Sequence, residues 1–481
     1  MLPLRRLQTQ NSLQRRLFTL GWPIIMQLYL FQLTGVVDNL MVGQFGEETI
    51  AALGICVQLN FFIVLTYAAL TQGGAVITAQ LRGARHLSAL RETVATLLLA
   101  GLGIGLLLCT LYIFAGQWLL SLLTTDLFRP EDERSVLPAL GYQYLSVMSI
   151  GVMFMVVGQI AMHLLQALGD TRTPMRMALY GNVFNVIGNY LVLFGGAIPG
   201  ITGPLFEPLG LRGVALATSA AWAFQTIMMV RVLLRHPQVK LQVADLKTLV
   251  WHRLRRVVRI GYPLSIDGFL WQGSAFLYAM MFNRVGPEAY AAFLVALVIR
   301  SLSLAPGAGF QQAIGIAVGE SLGGEHRQRA RAYVKLGLRM VCIVLPVLGF
   351  LLWILSPLYL NLYDVTAETR SNIIWMIGLG VLYSLSTSIA IIVPGVLRAG
   401  GDTKAPMVIT ALGFTVIGLP MAYILGIHLG FGLWGVFAGF VADEVAKSIM
   451  MLIYLRRETW LNNLARQKSS AVHAHSDETV T

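Results

Sequence analysis

The sequence is poor in charge. Asp, Glu, Lys and Arg make up 12% of 481 residues, where soluble domains carry about 25%. Hydrophobic residues make up 56%, and the mean hydropathy is +0.69. A soluble core cannot hide that much apolar sequence, so lipid is the expected solvent. Cysteine is scarce too. Cys56, Cys109 and Cys342 fall in or beside apolar runs without paired spacing, which argues against a disulfide framework and against a cysteine metal site. His163 is isolated, and His473 and His475 lie in a polar C-terminal tail. No phosphate loop, nucleophile elbow or metal-ligand spacing is evident, and nothing resembles an ATP-binding module.

What is present is a series of long apolar runs. A membrane-spanning helix needs about 20 mostly apolar residues. Twelve such stretches lie near 17–43, 50–80, 92–120, 135–165, 174–197, 213–235, 257–283, 288–319, 332–355, 371–397, 405–427 and 433–456. They are continuous runs rather than ten-residue alternations, which excludes a transmembrane β-barrel. The first run is too long for a signal-peptide core, so it is expected to stay in the mature chain. The expected fold is an all-α integral membrane protein with short connections and no sizeable soluble domain.

The chain carries a formal net charge of +12. Its distribution reads as topology rather than as nucleic-acid binding. Most of the 35 Lys and Arg fall at the two ends and in alternate connections. The opposite side holds Arg129, Arg134, Arg212, Arg284 and Arg370, and Arg300 and Lys447 fall inside spans. The positive-inside rule then places both termini in the cytoplasm. No nucleic-acid partner is expected; the lipid bilayer is.

The chain is written twice. RRLFTLGWPI (15–24) recurs as RRVVRIGYPL (255–264), and GQFGEETIAA (43–52) as NRVGPEAYAA (283–292). At the same offset Gln72 matches Gln312, and Gly83 matches Gly323. Further on, ALGDTRTPM (167–175) matches AGGDTKAPM (399–407), and RGVALAT (212–218) resembles WGVFAGF (434–440). Each half has six spans, an even number, so the halves are parallel repeats about an axis along the membrane normal. The expected organisation is a cytoplasmic segment 1–14, one lobe 15–235, a linker 236–256, a second lobe 257–457 and a disordered tail 458–481. Transporters built this way bind substrate between or within the halves.

An α-helix turns about 100° per residue. Gln27, Thr34 and Asp38 therefore form one polar stripe on the first span, which should face protein or water rather than lipid. The repeat maps these three onto Asp267, Ser274 and Tyr278. The same face is polar in the seventh span, but its acid sits lower, about 16 Å along the axis from Arg256. Asn182, Asn185 and Asn189 lie on one face of the fifth span. Such amides can hydrogen-bond a carboxyl, coordinate a cation or join helices. The second half has Phe414, Ile417 and Met421 there instead.

Asp443 and Lys447 have the i, i+4 spacing of an internal ion pair, and a relay role is the alternative. Arg300, mid-span, would either neutralise an acid such as Asp267 or face an aqueous cavity. Asp170 and Asp402 follow glycine at turns, where capping is expected. Pro23, Pro263 and Pro394 interrupt spans; proline removes a backbone bond, so each marks a kink or hinge.

Across residues 15–457 the chain resembles the MATE family, the multidrug and toxic compound extrusion transporters. The features that carry the resemblance are Pro23, the VDNLMVG stretch around Asp38, QALGDTRTPM (166–175), the asparagine-rich fifth span and their second-half echoes. The resemblance implies two six-helix lobes and export of amphipathic, often cationic, compounds in exchange for H+ or Na+. It implies a coupling role for Asp38, accompanied by Asn185 and Asn189, and its seventh-helix acid matches Asp267. From the helix faces and the repeat, Thr34 joins the expected coupling group, and Gln27, Asn182, Ser274, Tyr278 and Arg300 join Asp267 as candidates for a second acidic or substrate site. One branch, the NorM-like, has a further acid in the tenth span. Here YSLSTSIAII has hydroxyls at Ser384, Thr387 and Ser388 but no carboxylate, which leans toward the DinF-like branch.

The leading expectation is therefore a secondary antiporter of the bacterial inner membrane. It would act as a monomer on small molecules, with no cofactor beyond the coupling ion and no ATPase subunit. A flippase for a lipid-linked or other amphiphilic substrate is the alternative; that reading wants several cavity arginines. A membrane-embedded enzyme would want clustered His or paired acids, which the sequence lacks.

Overall fold

A computed structural model describes residues 10–124, 135–196, 204–242, 245, 249–363 and 365–465. Residues 1–9, Arg129, Arg134 and the tail from 466, with His473 and His475, lie outside the described residues. The described chain is helical throughout. In order the helices are α1 Gln10–Val42, α2 Glu47–Gly83, α3 Leu87–Leu123, α4 Leu137–Ala167, α5 Arg172–Phe194, α6 Gly210–Leu234 and α7 Trp251–Val285. Then follow α8 Pro287–Gly323, α9 Arg327–Ile354, the short α10 Ser356–Tyr359, α11 Ala367–Ala399, α12 Lys404–Leu412, α13 Leu419–Tyr423 and α14 Gly432–Arg456. Two π-helical turns, Gly413–Gly418 and Ile424–His428, continue α12 and α13 into a single span, Lys404–His428.

Among the described residues, ten helices are long and apolar enough to cross a membrane. The twelve spans read from the sequence exceed that number by α7 and α14. The middle of α14 carries Asp443, Glu444 and Lys447, and α7 is less apolar along its length, with Asp267, Gln272 and several Gly, Ser, Trp and Tyr among its apolar residues. Large apolar side chains such as Phe31, Leu40, Phe114 and Leu382 are exposed on helix flanks, as a lipid solvent requires.

The chain forms two compact units. One holds Met26–Thr78 and Leu87–Gly261; the other holds Met1–Ile25, Ala79–His86 and Tyr262–Thr481. In the first unit α4 packs between α3 and α6, and α5 lies on α6. In the second, α8, α9 and α11 pack on one another, and α14 lies on α11. The units divide within helices. α1 passes from one to the other after Ile25, and α2 does so after Thr78.

The repeated glycines have a packing cause. Within the second unit, a Cβ on Gly83 would lie 2.0 Å from the Glu320 carbonyl oxygen, and one on Gly323 would lie 2.0 Å from that of Gln80. The ends of α2 and α8 cross backbone to backbone, which only glycine permits. Gln80 lies under this crossing, donating to the Ala399 carbonyl at 2.6 Å and accepting from the Leu464 amide at 2.6 Å. Residues 458–465, assigned to the disordered tail in the sequence reading, are ordered here. Trp460 is buried, and Thr459 donates to Asp402 at 3.0 Å. An apolar indole and a shelf of helix-end carbonyls hold a segment whose composition reads as polar.

Candidate functional site

The first polar cluster lies between α1, α5 and α6. Asp38, half-buried near the end of α1, accepts a hydrogen bond from the Asn189 amide at 2.7 Å. That amide also reaches Asn185 Oδ1 at 3.3 Å, and Asn185 donates to Thr218 Oγ1 at 3.1 Å. Asn185 and Asn189 are buried, and Asn189 Oδ1 has no hydrogen-bond partner among the described residues. The i, i+4 spacing of Asn185 and Asn189 places both amides on one face of α5.

Nearer the start of α1, Asn182 donates to the Leu30 carbonyl at 2.8 Å, and Thr34 bonds the same carbonyl at 2.9 Å. Gln27 accepts from Gln166 at 3.0 Å and contacts the Met162 sulfur. The polar stripe of α1 thus meets polar groups of α4 and α5 rather than lipid. Among the described residues, Asp38 makes no salt bridge. Its hydrogen-bond partner is a neutral amide.

The second cluster lies in the other unit, and its pairing differs from the sequence reading. Asp267, buried on α7, forms its ion pair with Arg398 in the last turn of α11, not with Arg300. Arg300 pairs instead with Glu444 at 3.3 Å. Helix packing in this unit chooses the partners, and it sets Arg398 against Asp267 and Arg300 against Glu444. Asp267 Oδ1 and Arg398 Nε remain without further partners among the described residues. Ser274 bonds the Trp271 carbonyl of its own helix, and Tyr278 is packed edge-on against Phe440 and Phe414. These two do not join Asp267 in one site.

α14 carries a compact group of charges. Lys447 Nζ lies 3.1 Å from Asp443 Oδ2 and 3.1 Å from Glu444 Oε1. Thr387 of α11 donates to Glu444 Oε2 at 3.3 Å. Among the described residues Asp443 Oδ1 and Tyr278 Oη are buried with no hydrogen-bond partner, and both side chains flank Gly418 of the π-helical turn. With Arg300 the group holds two acids and two bases, so it is formally neutral, as burial demands.

Sequence reasoning missed Glu444 and Arg398. Glu444 had a signal, the i, i+3 spacing to Lys447. Arg398 had none, because it sits at a span end where a basic residue is ordinary. Asp170 and Asp402 cap turns, accepting from the backbone amides of Thr173 at 3.0 Å and Ala405 at 3.4 Å. Among the described residues no cluster of three or more His, Cys, Asp or Glu is arranged to hold a metal ion.

Comparison with known proteins supplies the frame. The chain is 27% identical over 446 residues to a Bacillus subtilis protein named uncharacterized transporter YisQ, covering 92% of this chain and 94% of that one. It is 23% identical over 452 residues to the probable multidrug resistance protein NorM of Thermotoga maritima, covering 93% of each. Its fold superimposes on a solved multidrug resistance MATE family transporter of the MOP superfamily in an outward-facing conformation. That match has a TM-score of 0.81 and 18% identity, covering 93% of this chain and 96% of that chain. A solved variant of the Vibrio cholerae MATE transporter VcmN gives a TM-score of 0.81 and 19% identity, covering 94% of this chain and 99% of that one. The MatE family matches residues 23–191 and 263–424, more than half of the sequence, and the chain belongs to that family of membrane transporters.

Proposed function

We propose that the chain is a secondary antiporter that exports amphipathic, often cationic, organic compounds in exchange for H+ or Na+. One observation carries the reading. Of the acids discussed above within the helices, Asp267, Asp443 and Glu444 each have an arginine or lysine partner, whereas Asp38 has an amide. A carboxylate in a membrane helix is costly unless something neutralises it. At Asp38 the protein leaves that task to a mobile species: a proton, a sodium ion or a cationic substrate. Whichever binds excludes the others, and this competition is the exchange.

The amides of α5 suit either ion. Asn189 Nδ2 stabilises the charged carboxylate, and its unpartnered Oδ1 offers an acceptor to a carboxyl proton or a ligand to sodium. Asn185 adds a second carbonyl oxygen, and Thr34 a hydroxyl on the same helix face as Asp38. Gln27 and Asn182 line the approach. In this reading Asp267 and Arg300, each held by an opposite charge, serve the second unit rather than cation binding. Pro23 lies just before the point where α1 passes between units, which suits a hinge coupled to occupancy of Asp38.

The same reading places the transporter in a bacterial-type inner membrane as a monomer, with both termini cytoplasmic and no ATPase subunit. It keeps residues 15–235 and 257–457 as the working lobes. The same reading puts the chain nearer the DinF-like branch; what supports it is a tenth span with hydroxyls at Ser384, Thr387 and Ser388 and no carboxylate. Efflux of a fluorescent organic cation from proteoliposomes tests the proposal. An imposed H+ or Na+ gradient should accelerate efflux. Gradient-independent movement of a lipid-linked sugar, with no cation efflux, would support a flippase instead.

A further inference from the structure

The second unit contains a cavity of about 60 Å³ between α8, α9, α11 and α14. It is not part of the Asp38 cluster. Its polar lining is Arg300, Ser303, Tyr383, Ser384 and Thr387, and its aromatic lining is Phe293, Tyr383, Phe437 and Phe440. Among the described lining residues Arg300 is the one formally charged side chain; its neighbours Asp443, Glu444 and Lys447 do not line the cavity. The guanidinium is held from two directions. Glu444 takes Nη2 at 3.3 Å, and the Phe440 ring centroid lies 4.9 Å from Cζ. Its side chain is 16% exposed. An arginine carries five donors in a planar fork, and the salt bridge uses one terminal nitrogen, so donor capacity remains for a ligand.

From this geometry we infer that the cavity binds the anionic head of an amphipathic molecule, a carboxylate or sulfonate, at Arg300. Three observations converge. The charge presented to the cavity is positive, which attracts an anion and repels the cations that Asp38 attracts. The guanidinium is oriented by cation–π contact with Phe440 and by Glu444, so little freedom is lost on binding. One water needs about 10–15 Å³ of such space, so the cavity admits a carboxylate-sized head, with the apolar remainder lying along Leu297, Leu304, Leu345 and Leu352. Arg300 brings the charge of Asp443, Glu444 and Lys447 to zero, and its remaining donors would meet an added anion with charge-assisted hydrogen bonds.

The inference goes beyond the antiport reading and is separable from it. The test is equilibrium binding of naphthoate, and of its cationic counterpart naphthylmethylammonium, to the full chain in nanodiscs. Wild type should bind naphthoate. The double variant Arg300→Gln with Glu444→Gln, which removes both charges of the pair and so avoids an orphaned one, should bind it at least tenfold more weakly. Arg300→Lys, which keeps the charge but loses the fork, should fall between. Asp38→Asn should leave naphthoate binding unchanged while weakening naphthylmethylammonium. Wild type that binds no naphthoate overturns the inference, as does a folded double variant that binds it as wild type does. Loss of cation transport in Asp38→Asn bears only on the antiport reading.

Discussion

Asn189 on α5 donates its side-chain amide to Asp38 on α1 at 2.7 Å, and the same amide reaches back to Asn185. This contact sets Asp38 apart from Asp267, which an arginine neutralises. A hydrogen bond to a charged group contributes about 1.5–3 kcal/mol. Asn189→Leu removes it and leaves the carboxylate with no described polar partner. Gradient-driven cation efflux should fall about tenfold or more, with the protein still inserted. Transport rates in proteoliposomes at matched protein content check this; a rate equal to wild type would show the contact to be incidental.

The Asp267–Arg398 pair predicts a non-additive pattern. Removing one member of a buried ion pair costs about 3–5 kcal/mol, because the other charge is left uncompensated, while removing both is often neutral. Asp267→Asn and Arg398→Gln should each lower the thermal midpoint in detergent, and the double variant should recover most of the loss. Simple addition of the two losses would argue against the pairing. By the same reasoning Glu444→Gln should cost more than Asp443→Asn, since Glu444 pairs with both Lys447 and Arg300.

Glycine at the α2–α8 crossing gives a steric prediction. Gly83→Ala and Gly323→Ala each drive a methyl group onto a backbone oxygen 2.0 Å away, and overpacking of this kind costs about 1–3 kcal/mol. Gly35→Ala, with nothing within 4 Å of the added carbon, should be neutral or stabilising, since alanine is the better helix former. Thermal unfolding of the three variants separates a crossing constraint from a general intolerance of alanine.

The helical architecture was legible because it rests on local signals: apolar run length, basic connections and repeated landmarks. The stripe of α1 and the asparagine face of α5 were legible because helical periodicity places such residues on one side. Partner choice across helices was not. Asp267 and Arg398 are separated by 131 positions, and no periodicity links them; only the tertiary fold brings their side chains together. Glu444 stands next to Asp443 at i, i+3 from Lys447, a spacing that allows an ion pair as readily as i, i+4 does. The C-terminal segment around Trp460 read as tail because composition does not reveal a surface on which it can dock.

In the proposed exchange, a coupling ion and a cationic substrate neutralise Asp38 in turn. The most direct measurement is efflux of a fluorescent organic cation from proteoliposomes bearing wild type or Asp38→Asn, with H+ and Na+ gradients imposed separately. Wild type should respond to one of the two gradients, and Asp38→Asn should lose that response at least tenfold at equal protein incorporation. Wild-type, gradient-driven efflux from Asp38→Asn would contradict the account.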